Sequence, residues 1–451
     1  MPDASPGTDT LRLKEEFPPV STADWEATII ADLKGADYEK RLVWKTEEGI
    51  AVRPYYRKEN LPAQTARALN AGPWAIAQGP APEGAIQAAA HHEAGATAVQ
   101  ELAYAIAEGA DRLAGGADPA QTFVFAVGSN YFVEIAKLRA ARLLWKRVVS
   151  AFGMPEAPVR IHTVTALENK SIYDPYTNLL RVTTEALSGV LGGADSLNVQ
   201  ASGFPDRLAR NVQLVIKEEA HLDKVADPAG GSYYIEALTD ALAQAAWKLF
   251  QQIEAEGGFA SAQGTISAAI AVSRAAKEKA VASRRRVLVG VNNYPDIHEK
   301  ELDHAGALSG WHLAAPIEQI RLRTERYAKT AGKTPKVLLL KRGDLKMKMA
   351  RGQFCQNFFG CAGFDIQESE SYEGTDAALI VLCSSDPEYI EFAREVCSNV
   401  KVPVVVAGNP KEQIEELKAL GVAGFVHVLS NMVDTLNEWQ DKLGIGGKEE
   451  K

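Results

Sequence analysis

Long apolar runs are missing from this chain of 451 residues. None approaches the roughly 18 residues that a membrane-spanning helix needs. The first residues, MPDASPGTDTLRLKEEF, lack the apolar stretch of a secretory leader. Cysteine is scarce: Cys355, Cys361, Cys383 and Cys397 all lie in the last third, and their spacing fits no common zinc pattern. They read as reduced core thiols of a cytoplasmic protein. Basic charge is in deficit, with 49 Lys and Arg against 58 Asp and Glu. The resulting net charge of −9 argues against a broad nucleic-acid footprint. No Ser/His/Asp triad or His/Glu metal cluster is visible. DPAGGSYYIE, from Asp227 to Glu236, lacks the Lys-Ser/Thr of a phosphate loop and reads as a tight turn at Gly230 and Gly231.

What remains is an alternation of apolar runs and helical periods. Ser21 or Thr22 caps a helix that reaches about Leu33. Residues 62–90 are rich in Ala, Gly and Pro and read as a linker. From Glu93 onward, strands are expected at Thr122–Val127, Val159–Thr165 and Asp195–Val199, with helices between and after them. Glu134, Lys137, Arg139 and Arg142 share one helix and read as a salt-bridge-laced outer face, with Glu134 a possible partner of Arg142. Arg284, Arg285 and Arg286 read as a solvated helix end or an anion contact, and VLVGVNNYP after them is strand-like. A charged linker covers 298–334. Five β/α units follow, with strands near Lys336–Leu340, Phe364–Ile366, Ala378–Leu382, Val402–Val406 and Gly424–His427, and helices starting near Lys346, Gly374, Pro387, Lys411 and Asn431. The fold class is α/β with parallel sheets. Five strands in so short a span suit a flavodoxin-like sheet, whose ligands sit in strand-to-helix loops.

Several stretches carry a specific resemblance. GIAVRPYYRKENL, HEAGATAVQELAYAIAEGADRL, VGSNYFVEIAKLRAARLLW, YDPYTNLLR, DPAGGSYYIE and VGVNNYP, in this order, resemble the methylmalonyl-CoA mutase family. The earlier run EFPPVSTADWEATIIADLKGADYEKRLVWKTEEG is similar to its small (β) subunit. The resemblance implies an N-terminal arm and subunit-contact helix at 1–61, a partial (β/α) TIM-type barrel at 91–297, and a flavodoxin-like domain of the cobalamin-binding type at 335–446.

The chain departs from the family in three places. Active members carry Asp-x-His-x-x-Gly in the cobalamin loop, where the His binds cobalt; here Gly343 to Gly352 contains no His, and His427 is the only one in the domain. Active members place a substrate-contacting His before Glu-Ala-Gly-Ala; here Ala90 holds that position. His91 is one residue off, which in an extended segment reverses the side chain. The acyl-CoA segment with its Tyr and Arg residues has no counterpart between Leu61 and His91, so the barrel is shortened in its N-terminal half. Gly343, Asp344, Ser384, Ser385 and Gly408 are left as candidates for a degenerate cofactor crevice. The resemblance implies a non-catalytic small subunit in a heterodimer with a large subunit that holds adenosylcobalamin and the acyl-CoA, with no cobalamin on this chain, no nucleic acid and no membrane. Rival readings are an orphan interaction or small-molecule sensor protein and an active acyl-CoA mutase.

Overall fold

A computed structural model describes residues 15, 17–62, 74–299, 308 and 310–445. Two units make up the chain, Met1–Asn60 and Leu61–Lys451. In the first, helix α1 (Thr22–Asp32) starts where Ser21 accepts a hydrogen bond from the Asp24 amide at 3.1 Å. Trp25 stacks on Tyr55 with ring centroids 4.8 Å apart, and Arg57 lies over the Trp25 ring. A short helix α2 (Tyr38–Leu42) leads into an antiparallel pair, β1 (Trp44–Lys45) and β2 (Ala51–Val52). Neither helix buries a residue, and Trp25 and Ile30 stay exposed on α1.

The second unit opens with a parallel sheet of β3 (Ala75–Ala77), β4 (Thr122–Val127), β5 (Arg160–Thr165) and β6 (Ser196–Asn198), in the order β3-β6-β5-β4. Strand β4, TFVFAV, is buried along nearly its whole length, as a strand covered on both faces must be. Ile86 adds an isolated parallel bridge to Phe123. β3 lies inside 62–90, so that stretch is more than a linker; its three residues were too few for a period to show. Around the sheet lie α3 (Ala88–Glu93), α4 (Ala98–Ala114), α5 (Tyr131–Ala151), α6 (Pro175–Leu191), α7 (Asp206–Leu214), α8 (Tyr233–Ala255) and α9 (Gln263–Ala282). Thr97 and Gln100 form a capping box at the start of α4. Asp174 caps α6 ahead of Pro175. The strand expected in VLVGVNNYP is absent: Asn292 accepts from the Leu288 amide and donates to Val281 and Arg286 carbonyls, which folds the segment back as turns.

Helix α10 (Ala315–Ala331) lies in 298–334 and buries Ile317 and Ile320, so this stretch too is part of the core. A second parallel sheet follows, of β7 (Lys336–Lys341), β8 (Asp365–Ser369), β9 (Leu379–Cys383), β10 (Val404–Ala407) and β11 (Val422–Val426), in the order β11-β10-β9-β7-β8. Helices α11 (Leu345–Gly360), α12 (Tyr389–Asn399), α13 (Ile414–Ala419) and α14 (Met432–Lys442) cover its faces. No helix forms at Gly374. That crossover carries no apolar stripe, and Ser369 and Ser371 hold it through reciprocal hydrogen bonds. One core lies on each face of the sheet; the larger also takes in Val281, Leu288, Val291, Leu313 and Ala314 from the preceding region. Among the described residues no helix is long and apolar enough to cross a membrane.

Candidate functional site

The strand order reverses between β7 and β9. The C-terminal ends of these two strands therefore flank the crevice where open α/β sheets bind ligands. All five candidate residues converge here. Gly343 and Asp344, with Arg342 before them, form the whole connection from β7 to α11, and Asp344 caps the helix by accepting from the Met347 amide at 2.8 Å. Ser384 and Ser385 follow β9, and Gly408 follows β10.

Two side chains that the sequence reading missed occupy the crevice. Glu388, from the turn after β9, accepts from the Ser384 hydroxyl (2.5 Å), the Ser385 hydroxyl (2.6 Å), the Ser385 amide (3.1 Å) and the Asp344 amide (3.2 Å). The Ser384 hydroxyl, ahead of the Ser385 groups and the Asp344 amide, holds the Glu388 carboxyl down to about 2. Arg351, on α11, donates to the Tyr389 hydroxyl and to Asp386, both at 2.6 Å, and its guanidinium covers Gly408, where a Cβ would meet Nη1 at 2.5 Å. The Tyr389 hydroxyl donates in turn to the Ala407 carbonyl at 2.6 Å. The one signal for Glu388 in the sequence was Ser385-x-x-Glu388, a capping box that any helix start can carry.

Gly343 has φ +79°, and a Cβ there would collide with the Glu388 carboxylate. Gly343→Ala is therefore expected to lower stability by about 1–2 kcal/mol from the left-handed backbone alone, read as a lower urea midpoint of the full chain. His427 stands apart from these contacts; its Nδ1 accepts from the Leu429 amide at 3.2 Å, which makes it a satisfied loop residue. A cavity of about 690 Å³ lies at the opposite end of this sheet, bordered by Arg321, Lys336 and Asp365. It holds none of the candidate residues.

The first sheet carries a different arrangement at its C-terminal end. Lys137 is fully buried and pairs with Glu101 and Glu134, each at 2.6 Å. Arg139 pairs with Asp227 and Glu236, and at the N-terminal end of the sheet Arg142 pairs with Asp195 at 2.8 Å rather than with Glu134. The expected solvated face of α5 is thus an interior one. Charged spacing alone does not tell an exposed face from a buried one when the partners come from distant segments. Beyond β5, Glu168 binds Lys277 at 2.7 Å and Arg286 at 2.9 Å. Arg284 lies over Phe354 and donates to Asn293, while Arg285 is exposed. Gly231, at φ +81°, makes the expected tight turn.

The segment before Glu-Ala-Gly-Ala is helix α3, not an extended strand. A shift of one residue therefore rotates a side chain by about 100° instead of reversing it. Ala90 is exposed, and His91 packs edge-on against Tyr104 and Phe259. Burial pushes the His91 pKa down. His92 is buried beside Glu101, with Nδ1 3.2 Å from the carboxylate. Burial alone would lower its pKa, and the Glu101 hydrogen bond and charge raise it overall.

A four-stranded parallel sheet lined with buried ion pairs, continued by a doubly wound sheet with a switch-point crevice, defines a two-part α/β protein. A family model described as methylmalonyl-CoA mutase matches residues 83–321. The chain belongs to the methylmalonyl-CoA mutase family. Across most of its length it is similar to small subunits. The methylmalonyl-CoA mutase small subunit of Porphyromonas gingivalis is 32% identical over 616 aligned positions, covering 96% of this chain and 99% of the relative. That alignment is longer than the 451 residues available, so a long stretch of the relative faces no residue here. The small subunit of Streptomyces virginiae is 35% identical over 353 positions, covering 70% of this chain and 57% of the relative. A methylmalonyl-CoA mutase of Cereibacter sphaeroides is 42% identical over 225 positions, covering 45% of this chain and 32% of the relative.

Proposed function

We propose that this chain is a non-catalytic small subunit that supports a catalytic, cobalamin-dependent large subunit in the interconversion of methylmalonyl-CoA and succinyl-CoA. The observation that carries this reading is the β7–α11 connection. It consists of Arg342, Gly343 and Asp344 alone, α11 starts at once with Leu345, and neither the connection nor the helix offers an imidazole. The donors gathered at the crevice are hydroxyls and backbone amides, already engaged by Glu388. This set does not fit a cobalt centre that takes imidazole nitrogen. Adenosylcobalamin and the acyl-CoA therefore belong to the partner. The exposed Ala90 supports the same reading, since an alanine methyl cannot polarise a thioester carbonyl.

In this reading 335–446 is a flavodoxin-like domain of the cobalamin-binding type that has lost its cofactor. Residues 91–297 are the remnant of a TIM-type barrel shortened in its N-terminal half, and 1–61 is the arm that meets the large subunit. Trp25 and Ile30, exposed on α1, give that arm an apolar face to bury. The buried thiols Cys355, Cys361 and Cys383 suit a reducing cytoplasm.

The test is the native mass of this chain co-expressed with a methylmalonyl-CoA mutase large subunit. A stable one-to-one complex is expected, in which turnover depends on the large subunit. A chain that ignores the large subunit would favour an orphan interaction or sensor protein. Turnover by the chain alone would make it an active mutase.

A further inference from the structure

We infer that Glu388 is the crevice's own ligand: its carboxylate occupies the oxyanion position at the switch point of the second sheet, so the donors there serve the fold and are closed to a carboxylate or phosphate from outside. This rests on, and deepens, the reading of the chain as a subunit without cofactor.

A capping box accounts for only part of the geometry. In that device a Glu three residues into a helix accepts from the backbone amide of the capping residue, here Ser385. The Asp344 amide and the Ser384 hydroxyl are not part of it. They reach the same carboxylate from the other loop of the crevice and from the end of β9, at 3.2 Å and 2.5 Å. Glu388 thus bridges the two loops that part on either side of a switch point, and it meets hydroxyl and amide donors of the kind that bind phosphate or carboxylate.

Two further features hold the arrangement. Gly343 has no side chain where the Glu388 carboxylate lies. On the far side Arg351, Tyr389 and Asp386 form a hydrogen-bonded set that covers Gly408, so the neighbouring loop is also filled from within. An incoming anion would have to displace a carboxylate that already accepts from two hydroxyls and two backbone amides.

The experiment uses the full chain and three variants, Glu388→Ala, Glu388→Gln and the double variant Ser384→Ala with Ser385→Ala. Thermal unfolding is followed with rising acetate or inorganic phosphate, at constant ionic strength set with chloride. E388A is expected to unfold a few degrees below wild type and to regain part of the loss as acetate or phosphate fills the vacated position. Wild type should not respond. E388Q keeps one acceptor oxygen and should fall between the two without responding to anion, and the double serine variant should be destabilised and equally unresponsive. An E388A as stable as wild type, or one indifferent to both anions, overturns the inference; if E388A does not fold, an E388Q as stable as wild type overturns it.

Equilibrium dialysis of wild type against hydroxocobalamin tests the two readings together, and pairing with the large subunit separates them. Retention would overturn both the closed crevice and the subunit without cofactor. Failure to pair with the large subunit would overturn the proposed function and leave the internal ligand standing.

Discussion

Lys137→Met is expected to destabilise the protein by about 3–5 kcal/mol, the usual cost of removing one partner from a buried ion pair. The ammonium sits between Glu101 and Glu134 at 2.6 Å from each and also donates to the Ala126 carbonyl at 2.7 Å. Burial would by itself lower the lysine pKa, and the two carboxylates, Glu101 ahead of Glu134, reverse that and raise it. Methionine matches the side chain as far as Cε and brings no charge. It therefore leaves two buried carboxylates without their cation and a carbonyl near the end of β4 without its donor. The damage reaches α4, α5 and the sheet together, because Glu101 comes from α4 and also accepts from the Ala126 amide at 2.9 Å. Urea unfolding of K137M measures the cost. K137M with Glu101→Gln should recover a large part of it, since one uncompensated charge goes with the second change. Equal instability in the single and double variants would mean that packing, not charge, dominates the site.

Glu168→Gln is expected to cost about 3 kcal/mol at neutral pH by the same mechanism with the signs exchanged. Lys277 is buried and loses its carboxylate at 2.7 Å, keeping the Ala96 carbonyl at 2.9 Å; Arg286 loses one carboxylate partner at 2.9 Å. Burial raises the Glu168 pKa, and Lys277, His92 and Arg286 outweigh it and pull it well below the usual carboxylate range. A group whose pKa is depressed on folding contributes its full stability above its unfolded pKa and loses it as the pH falls towards the folded one. The gap between wild type and E168Q should therefore be widest at neutral pH and narrow as the pH drops below about 4.3. Chemical denaturation of both proteins across that range checks the sign. A gap that widens on acidification would assign the stability to another group.

Much of the backbone was legible before the structure. β4, β7, β9 and β10 are short apolar runs bounded by turn residues, and burial on both faces leaves that pattern and little else. β3 escaped because three residues, Ala75 to Ala77, carry no period and owe their strand geometry to pairing with β6. The segment at Leu288 to Asn293 misled for the opposite reason: Leu288 and Val291 are buried while Val289 is exposed, but Asn292 satisfies the backbone locally, so no ladder forms.

At the crevice the sequence named the loops but not what fills them. Gly343, Ser384 and Gly408 are marked by their places after strands. Glu388 and Arg351 are charged residues on helix starts and faces, where solvent exposure is the ordinary state. Only the fold shows that one lies over Gly343 and the other over Gly408. The ion pairs of α5 were hidden in the same way. Asp227, Glu236 and Asp195 are far from Arg139 and Arg142 in the chain, and no local spacing links them.

The larger core of the second sheet draws Val281, Leu288, Val291 and Leu313 from the region before it. That continuity bears on protein engineering. The C-terminal part is not a cassette with a clean seam at residue 335. A chimera that exchanged it for the corresponding part of an active relative would cut through one hydrophobic interior. It would have to carry α9, the turns after it and α10 across with the graft to keep that interior whole.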